Sequence, residues 1–132
     1  MSDRYIYLDT SAFAKLVMTE PESGALIRFL RRRPGQVAAR LLRTEVLRAA
    51  MRVSQSHLAQ ARGQLASLAF IDLGRPLLDY AGTLSPAGIR SLDAIHVAAA
   101  LTLGDDLGEF VTYDRRLADA ARQWGLTVVS PA

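Results

Sequence analysis

Short apolar runs alternate along this chain with longer stretches in which apolar positions recur every three to four residues, and turn residues separate the two kinds. Tyr5-Ile6-Tyr7-Leu8 predicts a first strand that stops at Asp9-Thr10-Ser11, and Ala12 to Met18 reads as a helix directly after it. Glu20-Pro21-Glu22 predicts the opening of a second helix, because proline is tolerated in a first turn and acids there suit the helix dipole. Its apolar face is Leu26, Ile27, Phe29 and Leu30, and it ends in Arg31-Arg32-Arg33 before Pro34-Gly35. Gln36 to Ala39 is a weak second strand. Leu41 to Val53 returns to helical spacing with Leu42, Val46, Ala49 and Val53 on one stripe, and Ser56 to Leu68 predicts a further helix.

Phe70 to Leu73 reads as a third strand and Arg75 to Leu84 as a helix broken by Ser85-Pro86-Ala87-Gly88. Ser91 is placed to cap a long helix through Leu103, closed by Gly104. Phe110 to Tyr113 predicts a fourth strand, Asp114 to Trp124 a helix stopped by Gly125, and Leu126 to Val129 a terminal strand. Strands that alternate with helices imply right-handed crossovers and a mainly parallel sheet covered on both faces, an α/β fold. No linker, repeat or low-complexity segment interrupts the pattern. With 132 residues the chain suffices for one domain, 1–132, and is too short for two ordinary ones.

Composition narrows the function classes. Half of the residues are hydrophobic and 22% are charged, which suits a folded chain without a long disordered tail. There is no cysteine, so a disulfide framework, a thiolate metal site and a thiol nucleophile are all excluded, and a cytoplasmic home is the default. Met1-Ser2-Asp3-Arg4 has no leader pattern, and the longest mostly apolar stretch, Ala94 to Leu103, is short of the roughly 20 residues of a membrane span. The net charge is +3, and with Lys15 as the single lysine it rests on arginine, whose planar fork suits phosphate oxygens or an acidic partner. Arginine-rich usage is equally a product of genome composition.

Four acids stand where chemistry can use them. Asp9 and Asp114 directly follow apolar strand runs, and ligands of open parallel sheets bind outside the carboxyl ends of the strands. Glu45 and Asp93 lie early in helices that can bring their first turns to the same crevice. Carboxylates so close repel unless a cation neutralises them, and hard divalent ions such as Mg²⁺ or Mn²⁺ take oxygen ligands while leaving water sites for a phosphate substrate. Metal-assisted phosphodiester hydrolysis is the chemistry implied. Each acid also has a plain structural role open to it: Asp9 and Asp114 as helix caps, Asp93 as a first-turn residue, Glu45 as a surface partner of Arg48 and Arg52.

Read with their neighbours, the acids carry a resemblance. The segments Tyr7-Leu8-Asp9-Thr10-Ser11-Ala12, Arg43-Thr44-Glu45-Val46, Leu92 to Ala98 around Asp93, and Phe110 to Leu117 around Asp114 resemble, in order and spacing, the motifs of PIN-domain ribonucleases. Among these the chain is most similar to VapC-type toxins of toxin–antitoxin modules. The resemblance implies a three-layer α/β/α domain and an acidic quartet, Asp9, Glu45, Asp93 and Asp114, that holds one or two Mg²⁺ or Mn²⁺ ions and positions the water attacking an RNA phosphate. It also implies supporting hydroxyls at Ser11 and Thr112, a small VapB-like antitoxin covering a groove near the site, and a homodimer.

Other residues are left with two readings. Arg43, Arg48, Arg115 and Arg116 flank the acids and are candidate RNA contacts, although Arg115 and Arg116 are equally placed for ion pairs with the quartet. Arg31 to Arg33 is most simply a solvated helix end. His96, three residues after Asp93, lies in an apolar segment and reads as a packing residue before a ligand, and His57 as an exposed helix residue. Trp124 and the tyrosines read as filling the core or its edge before stacking bases, with Tyr113 beside Asp114 within reach of RNA. An aspartyl phosphatase is weakened by Ser11 where a second acid is expected, and a phosphoacceptor receiver by the lack of a late lysine. Dinucleotide and P-loop signatures are missing. A housekeeping RNA-processing nuclease and a non-catalytic RNA- or protein-binding module of the same fold remain as alternatives.

Overall fold

The computed structural model describes residues 4–132, so the reading of Met1 to Asp3 lies outside the described residues. Among the described residues five strands form one all-parallel sheet: β1 (Tyr5–Leu8), β2 (Gln36–Ala39), β3 (Ala69–Ile71), β4 (Leu107–Val111) and β5 (Val128–Val129). Their order across the sheet is β3-β2-β1-β4-β5. The chain therefore winds outward from β1 in one direction, then returns to build the other half from β4, and the reversal lies between β1 and β4. Such a reversal parts the flanking connections and opens a crevice at the carboxyl ends of the two strands.

Among the described residues seven α-helices cover the sheet: α1 (Thr10–Val17), α2 (Ser23–Leu30), α3 (Leu42–Met51), α4 (Gln55–Leu65), α5 (Arg75–Gly82), α6 (Ser91–Leu101) and α7 (Arg115–Gln123). The alternation of side chains along β1 divides the core in two. Ile6 and Leu8 pack with Phe13, Val17, Leu26, Leu42, Val46 and Leu65 of α1 to α4. Tyr7 faces the opposite way, with Phe110 and Val37, into a layer of alanines and leucines from α5 to α7. Near-continuous apolar strands are what a parallel sheet buried on both faces requires.

Several boundaries differ from the sequence reading for local reasons. Helix α2 starts at Ser23, not at Glu20-Pro21, because the Ser23 hydroxyl accepts the Glu20 N–H at 2.9 Å while Lys15 holds Glu22 at 2.9 Å. Ser54 caps α4 by accepting the His57 N–H, which moves the helix start ahead of Ser56. Ser91 is inside α6 and not its cap; Arg90 stands at the N-cap without a side-chain bond. Strand β3 begins at Ala69 and ends at Ile71, short of Leu73. Strand β4 begins at Leu107 and ends at Val111, so Thr112 and Tyr113 lie just beyond it, in the loop toward α7. Gly104 and Gly125 follow α6 and α7 with positive φ (54° and 78°), the left-handed conformation that ends helices cleanly. Among the described residues no helix is long and apolar enough to cross a membrane.

Candidate active site

A cleft of ≈ 350 Å³ opens at the β1/β4 reversal, and its lining includes Asp9, Glu45, Asp93 and Asp114 together. They come from four connections: Asp9 from the end of β1, Glu45 from the first turn of α3, Asp93 from the first turn of α6, and Asp114 from the loop after β4. The winding order brings them to one place, since each leaves or follows the carboxyl edge of the sheet.

Asp9 is the most enclosed of the four, 3% exposed. It caps α1 by accepting the Ala12 N–H at 2.9 Å, and Thr112 Oγ1 donates to its other oxygen at 2.7 Å. Ser11 Oγ lies 2.8 and 2.9 Å from the two oxygens and donates to this carboxylate while accepting the Tyr113 N–H at 2.9 Å. Thr112 also accepts the Asp114 N–H at 3.0 Å, so one hydroxyl couples the end of β1 to the loop after β4. Asp114 in turn caps α7, accepting the N–H groups of Arg116 and Leu117 through Oδ1. For both aspartates the cap and the site are one geometry: the helix start that needs an acceptor is the same helix start that borders the cleft.

Glu45 turns away from Arg48 and Arg52 and toward the sheet. Thr10 donates to its Oε1 at 2.5 Å, and His96 Nε2 stands 3.5 Å from the same oxygen. Asp93, 7% exposed, is paired with Arg116 Nε at 3.2 Å. Among the described residues this is the one ion pair between an arginine or lysine and any of the four acids.

Electrostatics separate the acids. Burial pushes the Asp9 carboxyl up, and the hydrogen bonds from Thr112, Ala12 and Ser11 with nearby His96 only partly offset it. Burial also works against the ionised form of Glu45, but His96 and Thr10 outweigh it, and its carboxyl is held below the usual value. Asp9 is thus a carboxylate in want of positive charge. Among the described residues no three His, Asp or Glu side chains converge into a ready coordination shell. The four acids on the cleft offer carboxylate oxygens, the donors that Mg²⁺ takes beside several of its own waters.

The arginines divide. Arg116 lines the cleft, and Arg115 lines an adjoining hollow of ≈ 330 Å³ that shares Asp114 with it and includes Arg122. Arg43 is not part of either lining; its guanidinium lies 5.1 Å from the Phe70 ring centre. Arg48 is exposed and also outside both. Arg33 is held by Glu109 at 3.2 Å and by the Phe29 carbonyl at 2.8 Å. The Tyr113 hydroxyl donates to the Pro131 carbonyl at 2.6 Å, and Trp124 Nε1 donates to the Ser85 carbonyl at 2.9 Å. Sequence reasoning missed Thr10, although it directly follows Asp9, and missed Tyr7, which bonds His96 at 2.7 Å from within β1. His96 is buried among packing residues as expected, but it is also a polar link to Glu45.

A family model described as PIN domain matches residues 6–123. The chain belongs to the PIN-domain family. Ribonuclease VapC46 of Mycobacterium tuberculosis (strain ATCC 25618 / H37Rv) is 46% identical over 127 residues, covering 96% of this chain and 98% of that protein. Ribonuclease VapC47 of Mycobacterium tuberculosis (strain CDC 1551 / Oshkosh) is 40% identical over 131 residues, 96% of each chain. Within the PIN domains, this chain's place is among the VapC ribonucleases. Two solved structures share the fold: Mycobacterium tuberculosis VapC20, a sarcin–ricin loop cleaving toxin (TM-score 0.73, 18% identity, 96% of this chain and 99% of that one), and VapBC2 from Rickettsia felis bound to a fragment of its promoter DNA (TM-score 0.69, 14% identity, 97% and 99%).

Proposed function

We propose that this chain is an endoribonuclease, the toxin of a type II toxin–antitoxin pair, and that it hydrolyses RNA phosphodiester bonds with Mg²⁺ or Mn²⁺ held by Asp9, Glu45, Asp93 and Asp114. The observation that carries the reading is the meeting of all four acids on one cleft at the sheet reversal, in a chain of the VapC ribonuclease family. The ion, when bound, lowers the pKa of a water and stabilises charge developing on the phosphate and leaving oxygen.

The protein's part is orientation and charge. Asp9 is fixed by donors on both oxygens, so it meets a cation without first giving up rotamer freedom. Glu45 stays ionised and is turned to the cleft by Thr10. Arg116, now on Asp93, is placed to exchange that carboxylate for a phosphate oxygen when RNA enters, and Arg115 to take a neighbouring phosphate in the adjoining hollow. Arg43 and Arg48 are retained only as outer RNA contacts, since both lie off the cleft lining. Attack by water leaves a 3′-hydroxyl and a 5′-phosphate. The rest of the reading follows the family: a VapB-like antitoxin as partner, a homodimer as the assembly and the cytoplasm as the place of action.

Purified protein incubated with a mixed RNA pool and Mg²⁺ or Mn²⁺, with chelator and Asp9→Asn controls, tests the nuclease. New 5′-phosphate ends that vanish in both controls are the expected result; cleavage surviving both refutes the site. Growth arrest on expression, reversed by a cognate antitoxin, separates the toxin from a housekeeping RNA-processing nuclease. RNA binding without turnover in any metal would favour a non-catalytic module.

A further inference from the structure

A tyrosine hydroxyl is buried in the middle of this sheet, and the group it serves is on another layer. Tyr7 is fully buried in β1, and Phe110 stacks on it with 4.9 Å between ring centres and a 9° interplanar angle. Its hydroxyl lies 2.7 Å from His96 Nδ1, and the two rings meet edge to face at 5.9 Å. The imidazole, on α6, is itself 4% exposed, so neither ring can turn without disturbing the core. On its far side Nε2 faces Glu45 Oε1 at 3.5 Å.

The direction of the chain of bonds follows from Glu45. A carboxylate oxygen only accepts, so a neutral imidazole facing it carries its proton on Nε2, and Nδ1 then accepts from the Tyr7 hydroxyl. The Nε2 proton lies on the side of the ring 3.5 Å from Glu45 Oε1. With Nδ1 engaged and Nε2 protonated, His96 offers no lone pair to a metal and is not a ligand. The contacts from Thr10 and His96 both fall on Oε1, so Oε2 is the oxygen left to serve a cation or water.

We infer that Tyr7 and His96 are positioning residues for the metal site: Tyr7 selects the Nε2–H form of His96, and His96 with Thr10 sets the orientation of Glu45. The inference rests on the nuclease reading above and adds to it a relay from the core of the sheet to one of the four acids. Groups that orient a ligand from behind are worth about 10- to 100-fold in metal affinity or activity.

The decisive variant is Tyr7→Phe/His96→Leu. It keeps the packing and removes both polar partners at once, so neither is orphaned and the fold is kept. Calorimetric titration with Mn²⁺ alone and steady-state cleavage should show affinity and kcat each down about 10- to 100-fold, with KM for RNA little changed. His96→Gln, whose amide nitrogen can stand where Nε2 stood, should recover most of both, whereas His96→Leu should not. Nitrogen-15 NMR of the metal-free wild type should find the Nε2–H form, and Tyr7→Phe should loosen that preference. A folded double variant with wild-type Mn²⁺ affinity and kcat, or an Nδ1–H ring in the wild type, overturns the inference. A wild type that neither binds Mn²⁺ nor cleaves RNA instead overturns the nuclease reading on which it rests.

Discussion

The two walls of the cleft are built on different terms. The wall formed by the ends of β1 and β4 is buried and saturated with hydrogen bonds: Asp9, Ser11 and Thr112 hold one another, and Thr112 is 0% exposed. The wall formed by α6 and α7 is looser. Asp93 is met by Arg116, whose side chain is 53% exposed, and Asp114 contributes chiefly as a helix cap. A carboxylate on the first wall arrives oriented and under-neutralised, whereas the second wall carries a cation that can move. The lesson is a division of labour: one side holds geometry fixed, and the other can change partners when an anion arrives.

The largest effect should come from the fixed wall. Asp9→Asn keeps shape and cap but removes a charge, and cleavage should fall by about a thousandfold or more, measured as initial rate on a saturating RNA substrate. Activity within tenfold of wild type would end the claim that Asp9 leads the site. Thr112→Val comes next. It deletes the donor to Asp9 and the acceptor of the Asp114 N–H while keeping volume, so stability should fall by about 1–3 kcal/mol in denaturant unfolding and kcat by about 10- to 100-fold.

A third, smaller effect concerns stability without metal. The folded-state pKa of Asp9 is raised above its unfolded value of about 3.9 by burial, so the unfolded chain ionises first. Its contribution is therefore full below that unfolded value and lost as pH rises through the folded one. Asp9→Asn, which cannot ionise, should unfold at a higher temperature than the wild type in chelator at neutral pH, and the gap should close in acid. Mn²⁺ should raise the wild-type midpoint and leave the variant's nearly unmoved. A gap independent of pH would show that Asp9 is not strained by its burial. The smallest effect belongs to the mobile wall. Arg116→Ala should cost at most about 1 kcal/mol of stability, because the pair is half in solvent, and should act mainly by raising KM and reducing its dependence on salt. A collapse of kcat with unchanged KM would mean that Arg116 is as fixed as Asp9.

Much of this frame is legible in the sequence. The strand runs before Asp9 and Asp114 place those two acids at helix starts on one edge of the sheet, and the glycines at 104 and 125 mark where two helices end, because periodicity and capping are local properties. The same locality hides the rest. Ser91 looks like a cap and is not one, since a helix start is settled by the chain that leads into it. Glu45 looks like a partner for Arg48 and Arg52 along its own helix, yet it bonds Thr10, which is 35 residues away. Tyr7 and His96 are 89 residues apart and read as core, because nothing in an apolar run says which polar group its one hydroxyl will meet.

What the amino-acid sequence determines by itself is therefore the alternation of strand and helix, the parallel sheet it implies, and which acids end up at strand exits. Those follow from side-chain periodicity, turn chemistry and caps, each acting over a few residues. What only the tertiary structure decides is the strand order that puts the reversal beside β1, the pairing of Asp93 with Arg116, and the contacts that orient Glu45. These depend on which surfaces are buried against which, a choice made by packing the whole sheet between its two helical layers, and no window of the chain contains it.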